Sequence, residues 1–210
     1  MPGRARVSQT PQFKGESNKG RINIALADVD QPSYQFSTKD QERIQRAREE
    51  GILIPEVLMA VTRWAKVTYP VACTLVHKES YKGQNWFGSD PTWMRGIDLK
   101  SVTLTNGSTL REVTELGYKI YRLHVDLDGD KYQAQGVGPT QLTSFGFQTR
   151  ADWFGGCWKP EKNLMAALGW WREQMDKGLP QLEIATRYNG SSEYGNEFME
   201  LLAFWQEVIN

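Results

Sequence analysis

The sequence contains few of the side chains that metal sites and covalent hydrolases require. Its 210 residues include two histidines and two cysteines, Cys73 and Cys157. No Cys-x-x-Cys, His-x-x-x-His or Gly-x-Ser-x-Gly spacing occurs, which argues against a zinc site and against a serine or cysteine hydrolase. Two cysteines do not form a disulfide framework, and we expect two buried free thiols, with a single bridge as the alternative. The sequence therefore predicts a protein that uses neither a metal nor a cofactor.

The chain also lacks an excess of charge and a long apolar run. It has 25 basic and 25 acidic residues, so its charge does not favour nucleic acid or an anionic membrane as a partner. No segment approaches the ~20 apolar residues of a membrane span, and we expect no stable membrane insertion. The N-terminus has no apolar stretch of the signal-peptide kind, which predicts synthesis in the cytoplasm.

The composition of the first residues differs from that of the rest. Residues 1–20 are rich in Gly, Pro, Ser, Gln and charge, so we interpret residues 1–37 as a tail or linker with little to bury. Residues 38–210 are predicted to form one mainly α-helical domain. Apolar periodicity and helix-start signals predict helices at about 38–50, 55–65, 70–80, 110–124, 160–177, 179–187 and 193–209.

Two other stretches carry local signals. Asn106-Gly107, flanked by β-branched residues, predicts a small β-hairpin. Residues 126–130 place three carboxylates at alternate positions, but the twelfth position counted from Asp126 is Val137, not the glutamate of a calcium loop. We therefore interpret these residues as a solvated acidic turn, with a calcium site as the alternative.

Helical spacing places Glu79 at the C-terminal end of a helix whose preceding residues are apolar. The helix dipole and the loss of hydration both disfavour a charged carboxylate there, so both raise its pKa. A carboxyl with a raised pKa can act as a general acid near neutral pH. A surface glutamate balanced by Lys78 is the alternative.

Three segments in order then resemble one known group of proteins. They are Glu79-Ser80, Gly138-Pro139-Thr140-Gln141-Leu142 and Ala185-Thr186-Arg187-Tyr188-Asn189-Gly190. They resemble motifs of the lysozyme-like superfamily, which includes lytic transglycosylases and goose-type lysozymes. Residues 83–90, 136–143 and 155–158 are more closely similar to segments of the glycoside-hydrolase modules of actinobacteriophage endolysins. The resemblance covers about residues 50–208.

The resemblance implies a lysozyme-like α+β fold with a small β-hairpin and a substrate groove. It implies a muramidase that cleaves peptidoglycan between N-acetylmuramic acid and N-acetylglucosamine, with Glu79 as the general acid. The implied substrate-binding residues are Ser80, Gln141, Tyr188, Asn189, Trp86 and Phe87. Among them, the resemblance implies that Gln141 belongs to the groove wall and that Tyr188 holds the acid or lines the cleavage subsite. The abundance of aromatic residues, eight each of Trp, Tyr and Phe, also suits a sugar-binding groove. The implied protein is a monomer that stays in the host cytoplasm until it is released to the cell wall through a holin-type hole in the membrane.

The identity of a second carboxylate stays open, and with it the reaction type. An inverting hydrolase needs a second carboxylate to activate water, and Asp130 is our candidate, with Asp128, Asp126 and Asp90 as rivals. A lytic transglycosylase needs the acid alone and leaves 1,6-anhydro ends. A non-catalytic glycan-binding module of the same fold is the third alternative.

Overall fold

The computed structural model describes residues 31–84, 99–103, 109–128 and 136–210, with the backbone alone at 99–103, 109–112 and 124–128. Within these ranges the chain is mainly helical, as predicted. The elements are α1 (Thr38–Glu49), α2 (Pro55–Ala65), α3 (Tyr69–Ser80), β1 (Leu99–Thr103), β2 (Thr109–Val113), α4 (Glu115–Asp128), α5 (Phe145–Trp153), α6 (Pro160–Asp176), α7 (Gln181–Asn189) and α8 (Ser192–Ile209). None of the described helices combines the length and apolar character that crossing a bilayer requires.

Six helices match the sequence predictions to within a few residues, because their ends carry strong local signals. Ser37 and Asp40 form a capping box at the start of α1, and a proline opens each of α2, α3 and α6. Gly190, at φ 88°, ends α7 in the left-handed conformation that glycine adopts most readily.

Two helices correct the sequence analysis. Helix α4 begins at Glu115 rather than near residue 110, because residues 109–113 form β2, and Thr114 accepts a hydrogen bond from the backbone N–H of Gly117 at 3.0 Å. It continues through Asp126 and Asp128, so the acidic turn predicted there is wrong for these two residues. Aspartate is only a moderately poor helix former, and the next residue in the sequence, Gly129, is a much poorer one.

Helix α5 was not predicted at all. Ser144 caps it by accepting a hydrogen bond from the Phe147 N–H at 3.3 Å. Its nine residues show no clear apolar stripe, so the periodicity that revealed the other helices is missing here.

The two strands pair antiparallel, from Leu99 opposite Val113 to Thr103 opposite Thr109. The Asn106-Gly107 turn predicted for a hairpin falls between the strands and lies outside the described residues.

Helix α3 lies inside the helical domain. Every residue from Val71 to Val76 is buried, and the helix packs against α8, while α6 packs against α2 and α5. Trp171 of α6 and Phe198 of α8 stack with their ring centres 5.0 Å apart at the centre of the core. This packing fixes the C-terminal end of α3, where Glu79 lies, beside the N-terminal half of α8.

Both cysteines are buried and unbridged, which confirms the prediction of two free thiols. Burial is the main cause that raises the pKa of Cys73 and of Cys157. Both groups therefore stay thiols at neutral pH and behave as small apolar side chains.

The last residues of the predicted tail pack on the helices. Arg63 of α2 donates to the Gln35 carbonyl at 2.6 Å, and Lys162 of α6 donates to the Gln31 side chain at 2.6 Å. Residues 1–30 of the predicted tail lie outside the part of the chain that the structure describes.

Candidate active site

Glu79 lies near the end of α3, half-buried, and accepts a hydrogen bond from the hydroxyl of Tyr194 on α8. Loss of hydration raises the pKa of Glu79 to about 7, against the opposing effects of the Tyr194 hydrogen bond and the charge of Lys78. The negative end of the helix dipole acts in the same direction as the loss of hydration. Near neutral pH the carboxyl can therefore still hold its proton.

Lys78 is held on the other side of the same tyrosine. Its ammonium group lies 4.6 Å from the centre of the Tyr194 ring and forms an ion pair with Glu197, one turn farther along α8. Lys78 thus makes its ion pair with Glu197 rather than with Glu79. The alternative in which Glu79 is a surface residue paired with Lys78 does not match this geometry.

His77, two residues before Glu79, also turns toward α8. Its Nδ1 accepts a hydrogen bond from the Trp205 indole at 3.2 Å. Burial, followed by the charge of Lys82, lowers the pKa of His77 below its ordinary value. This imidazole is consequently neutral at pH 7 and adds no positive charge beside Glu79.

Ser80 connects the end of α3 to a distant turn. The side chain is 1 % exposed, and its hydroxyl lies 2.6 Å from the Pro139 carbonyl and 3.0 Å from the Val76 carbonyl. The resemblance implies that Ser80 contacts the substrate. In the structure Ser80 lies inside the fold and fastens the turn at residues 138–141 against α3.

Asn163 of α6, a residue that the sequence analysis missed, supports the 138–141 turn from beneath. Its buried amide accepts from the Thr140 N–H at 3.1 Å and the Thr140 hydroxyl at 2.7 Å, and donates to the Val137 carbonyl at 2.7 Å. Gly138 has φ 75°, and a Cβ there would meet the Asn163 side chain at 2.3 Å. The turn therefore requires both the glycine and the asparagine.

Gln141 closes the same turn with a backbone of positive φ, 45°. Its side-chain amide donates to the Gly138 carbonyl at 2.9 Å. Gln141 is partly exposed, so this residue of the predicted groove wall is accessible at the edge of the turn.

Tyr188 fastens the turn from the other side. Its hydroxyl donates to the Thr140 carbonyl at 2.8 Å, and its ring packs against those of Phe147, Trp170 and Trp171. Burial is the main cause that raises the pKa of Tyr188, and the charge of Glu79 is the second. The resemblance implies that Tyr188 holds the acid or lines the cleavage subsite, but the tyrosine that donates to Glu79 is Tyr194.

Tyr194 could not be singled out from the sequence, because its role depends on how α3 packs against α8. One weak signal is its place in the first turn of α8, where Ser191 accepts from the Tyr194 N–H and fixes the start of the helix. Asn189, the last residue of α7, is exposed and so is free to contact a ligand near this helix end.

The remaining predicted site residues are not placed by the structure. Trp86, Phe87, Asp90 and Asp130 lie outside the described residues. Asp126 and Asp128 are on the last turn of α4, where only the backbone is described. Within the described ranges no group of histidine, cysteine, aspartate and glutamate side chains could hold a metal ion.

A surface pocket of about 370 Å³ lies elsewhere, between α2, α5 and α6. It is lined by Trp64, Ala65, Lys66, Arg150, Gly169, Arg172, Glu173 and Asp176. None of these residues belongs to the Glu79 site. Its two arginines also have partners already, since Arg150 pairs with Glu173 and Arg172 with Asp176.

Comparisons with known proteins return no matching family model, curated protein or solved structure. Any assignment of function therefore depends on the geometry around Glu79 and on the motifs that the site brings together.

Proposed function

We propose that this protein is a peptidoglycan glycosidase of the lysozyme type, with Glu79 as its general acid. The observation that carries the proposal is the meeting of three distant motifs beside one half-buried carboxyl. Ser80 bonds Pro139, 59 residues later in the chain, and Tyr188 bonds Thr140, 48 residues earlier. The three segments that carry the resemblance are thus joined by hydrogen bonds.

The contacts of Glu79 suit the first step of glycoside cleavage. Because the Tyr194 hydroxyl donates to Oε1, the acidic proton is left to Oε2, which can deliver it to the glycosidic oxygen. Protonation lets that oxygen leave while positive charge develops on the sugar ring. The carboxylate that remains is stabilised by the Tyr194 hydrogen bond and by the charge of Lys78, which both favour the ionised form.

The finer parts of the proposal follow the resemblance. The domain would have a lysozyme-like α+β architecture with a groove at the Glu79 site. Gln141 and Asn189 would contact the glycan strand from the described part of this groove, and Trp86 and Phe87 from the loop after α3. The bond cleaved would be that between N-acetylmuramic acid and N-acetylglucosamine, in the cell wall, after release through a holin-type hole.

A lytic transglycosylase is the second candidate, because the group that its first step needs, the acid Glu79, lies among the described residues. Among the described residues, the charged group that acts on Glu79 is Lys78, and no carboxylate does so. A transglycosylase needs the acid alone, because the 6-hydroxyl of the sugar itself attacks. A hydrolase would have to take its second carboxylate from elsewhere, with Asp130 as the first candidate.

Mass spectrometry of the soluble fragments released from purified actinobacterial peptidoglycan tests the proposal. The native protein, Glu79→Gln and the control Glu200→Gln, an exposed position on α8, would be compared. Reducing N-acetylmuramic ends that disappear only with Glu79→Gln are expected for a muramidase, and 1,6-anhydro ends for a transglycosylase. Reducing N-acetylglucosamine ends would overturn the choice of bond.

The same experiment separates an enzyme from a binding module. A non-catalytic glycan-binding module would release no fragments, and Glu79→Gln would bind peptidoglycan as the native protein does. Absence of fragments from native protein that is shown to be folded would overturn the proposed activity.

A further inference from the structure

Tyr81, the residue that ends α3, is the most exposed of the large apolar side chains in the described part of the chain. It is 69 % exposed, although it follows Glu79 by only two positions. Its backbone N–H donates to the His77 carbonyl and caps the helix. The aromatic ring is therefore exposed to solvent at the same helix end that carries the candidate acid.

The backbone at Tyr81 is also in a conformation that a bulky side chain rarely adopts. Its φ is 52°, in the left-handed region that glycine or asparagine occupies at lower cost. Of the four non-glycine residues with positive φ in the described ranges, three lie around Glu79: Tyr81, Lys82 and Gln141. Strained backbone of this kind concentrates at functional sites.

The side chains of the other two residues help to hold their backbone. Lys82 donates to the Glu50 carbonyl at 2.5 Å, and Gln141 donates to the Gly138 carbonyl at 2.9 Å. The Tyr81 side chain makes no hydrogen bond or ring contact with the described residues. Within that part of the chain, packing therefore does not account for a tyrosine at this position.

We propose that Tyr81 is a sugar-binding residue, whose ring stacks on a saccharide unit of the glycan strand next to the bond that Glu79 cleaves. An aromatic face offers apolar area to the C–H face of a sugar ring, and an exposed ring supplies this area without burying a charged group. The inference rests on the proposed function, because it takes its ligand class from the glycan-cleaving site. It adds a residue that neither the motifs nor the resemblance assign.

The test compares steady-state kinetics on a soluble hexasaccharide of alternating N-acetylglucosamine and N-acetylmuramic acid. Tyr81→Asn removes the ring and keeps a residue that tolerates positive φ, while Tyr81→Phe keeps the ring. Phe204→Gln is the matched control, since Phe204 is an exposed aromatic about 15 Å farther along α8 than Tyr194.

We expect Tyr81→Asn to raise KM about tenfold, with kcat within about twofold and a melting temperature no lower than that of the native protein. Tyr81→Phe and Phe204→Gln should keep the native KM. A Tyr81→Asn variant with native KM would overturn the inference and leave the proposed function intact. Equal losses in Tyr81→Asn and Tyr81→Phe would overturn stacking in favour of the hydroxyl.

Failure of the proposed function has a different signature. The native protein would then not cleave the hexasaccharide, and a titration followed by tryptophan fluorescence would separate two cases. If the native protein bound the hexasaccharide without cleaving it, the role of Glu79 as an acid would be overturned, and weaker binding by Tyr81→Asn would still support stacking. In the other case the native protein would neither cleave nor bind it. That result would overturn the role of Tyr81 together with the role of Glu79.

Discussion

Replacing Glu79 by glutamine is expected to stabilise the folded protein at pH 8 while removing the proposed glycosidase activity. The cause is the position of the carboxyl, which the fold takes partly out of water at the end of α3. In the unfolded chain this group has an ordinary pKa of 4.5, and in the folded protein the pKa is raised to about 7. A neutral amide avoids the cost of an ionised group at this place and can still accept the Tyr194 hydrogen bond.

The sign and size follow from proton linkage. Because the pKa of Glu79 is higher in the folded state, the unfolded chain loses its proton first as the pH rises above 4.5. The free energy of unfolding of the native protein therefore falls between pH 4.5 and 7 and levels off above that range. The difference between the two pKa values corresponds to about 3 kcal/mol at pH 8. Below pH 4.5 both states hold the proton, and this contribution disappears.

Urea denaturation of the native protein and Glu79→Gln at pH 4, 6 and 8 measures this difference. The advantage of Glu79→Gln should be close to zero at pH 4 and grow to about 2–3 kcal/mol at pH 8. Glu200→Gln, exposed on α8, should follow the native protein at each pH. A Glu79→Gln advantage that is absent at pH 8, or constant with pH, would refute the argument that the fold dehydrates Glu79.

Three other variants test the surroundings of the acid. Lys78→Met removes a charge that lowers the pKa of Glu79, so the alkaline limb of the kcat/KM profile should move to higher pH; a move to lower pH would contradict the assigned sign. Tyr194→Phe removes the hydrogen bond that also lowers the pKa of Glu79, so the alkaline limb should again move to higher pH while the protein stays folded. An unchanged profile would exclude a hydrogen bond between Tyr194 and Glu79. Asn163→Ala leaves the buried Thr140 N–H unpaired and should lower the free energy of unfolding by about 2–4 kcal/mol, measured by thermal denaturation; a loss below about 0.5 kcal/mol would show that the 138–141 turn does not need the amide.

The elements that could be predicted are those whose signals are local. Ser37 and Asp40 cap α1 through neighbours in sequence, and Gly190 ends α7 by its own backbone freedom. The end of α3 was predictable in the same way, because the apolar spacing that precedes Glu79 fixes its position on the helix. The dehydration of the carboxyl followed from that position, since a helix buried on all sides carries its last turn close to the core.

The residues that escaped prediction act through contacts between distant segments. Tyr194 meets Glu79 across 115 residues, and Asn163 reaches Thr140 across 23. A polar residue within the apolar pattern of α6 gives no sign of its partner, because the sequence does not say which turn lies over it. Helix α5 was missed for a different reason, since it lacks a clear apolar stripe to distinguish it from a loop.

Tyr188 and Tyr194 have different roles, and only Tyr194 makes a hydrogen bond to Glu79. Tyr188 holds the 138–141 turn, whereas Tyr194 holds Glu79 and stacks on Phe198, with ring centres 6.3 Å apart. Phe198 in turn stacks on Trp171 in the core. Glu79 is therefore oriented by the packed contact between α3 and α8. Substitutions of Asn189 and Tyr81, the exposed residues proposed to contact the glycan, are expected to alter binding without altering the pKa of Glu79. We therefore expect substitutions of exposed residues such as Tyr81 to change KM, and substitutions in the contact between α3 and α8 to move the alkaline limb of the pH profile.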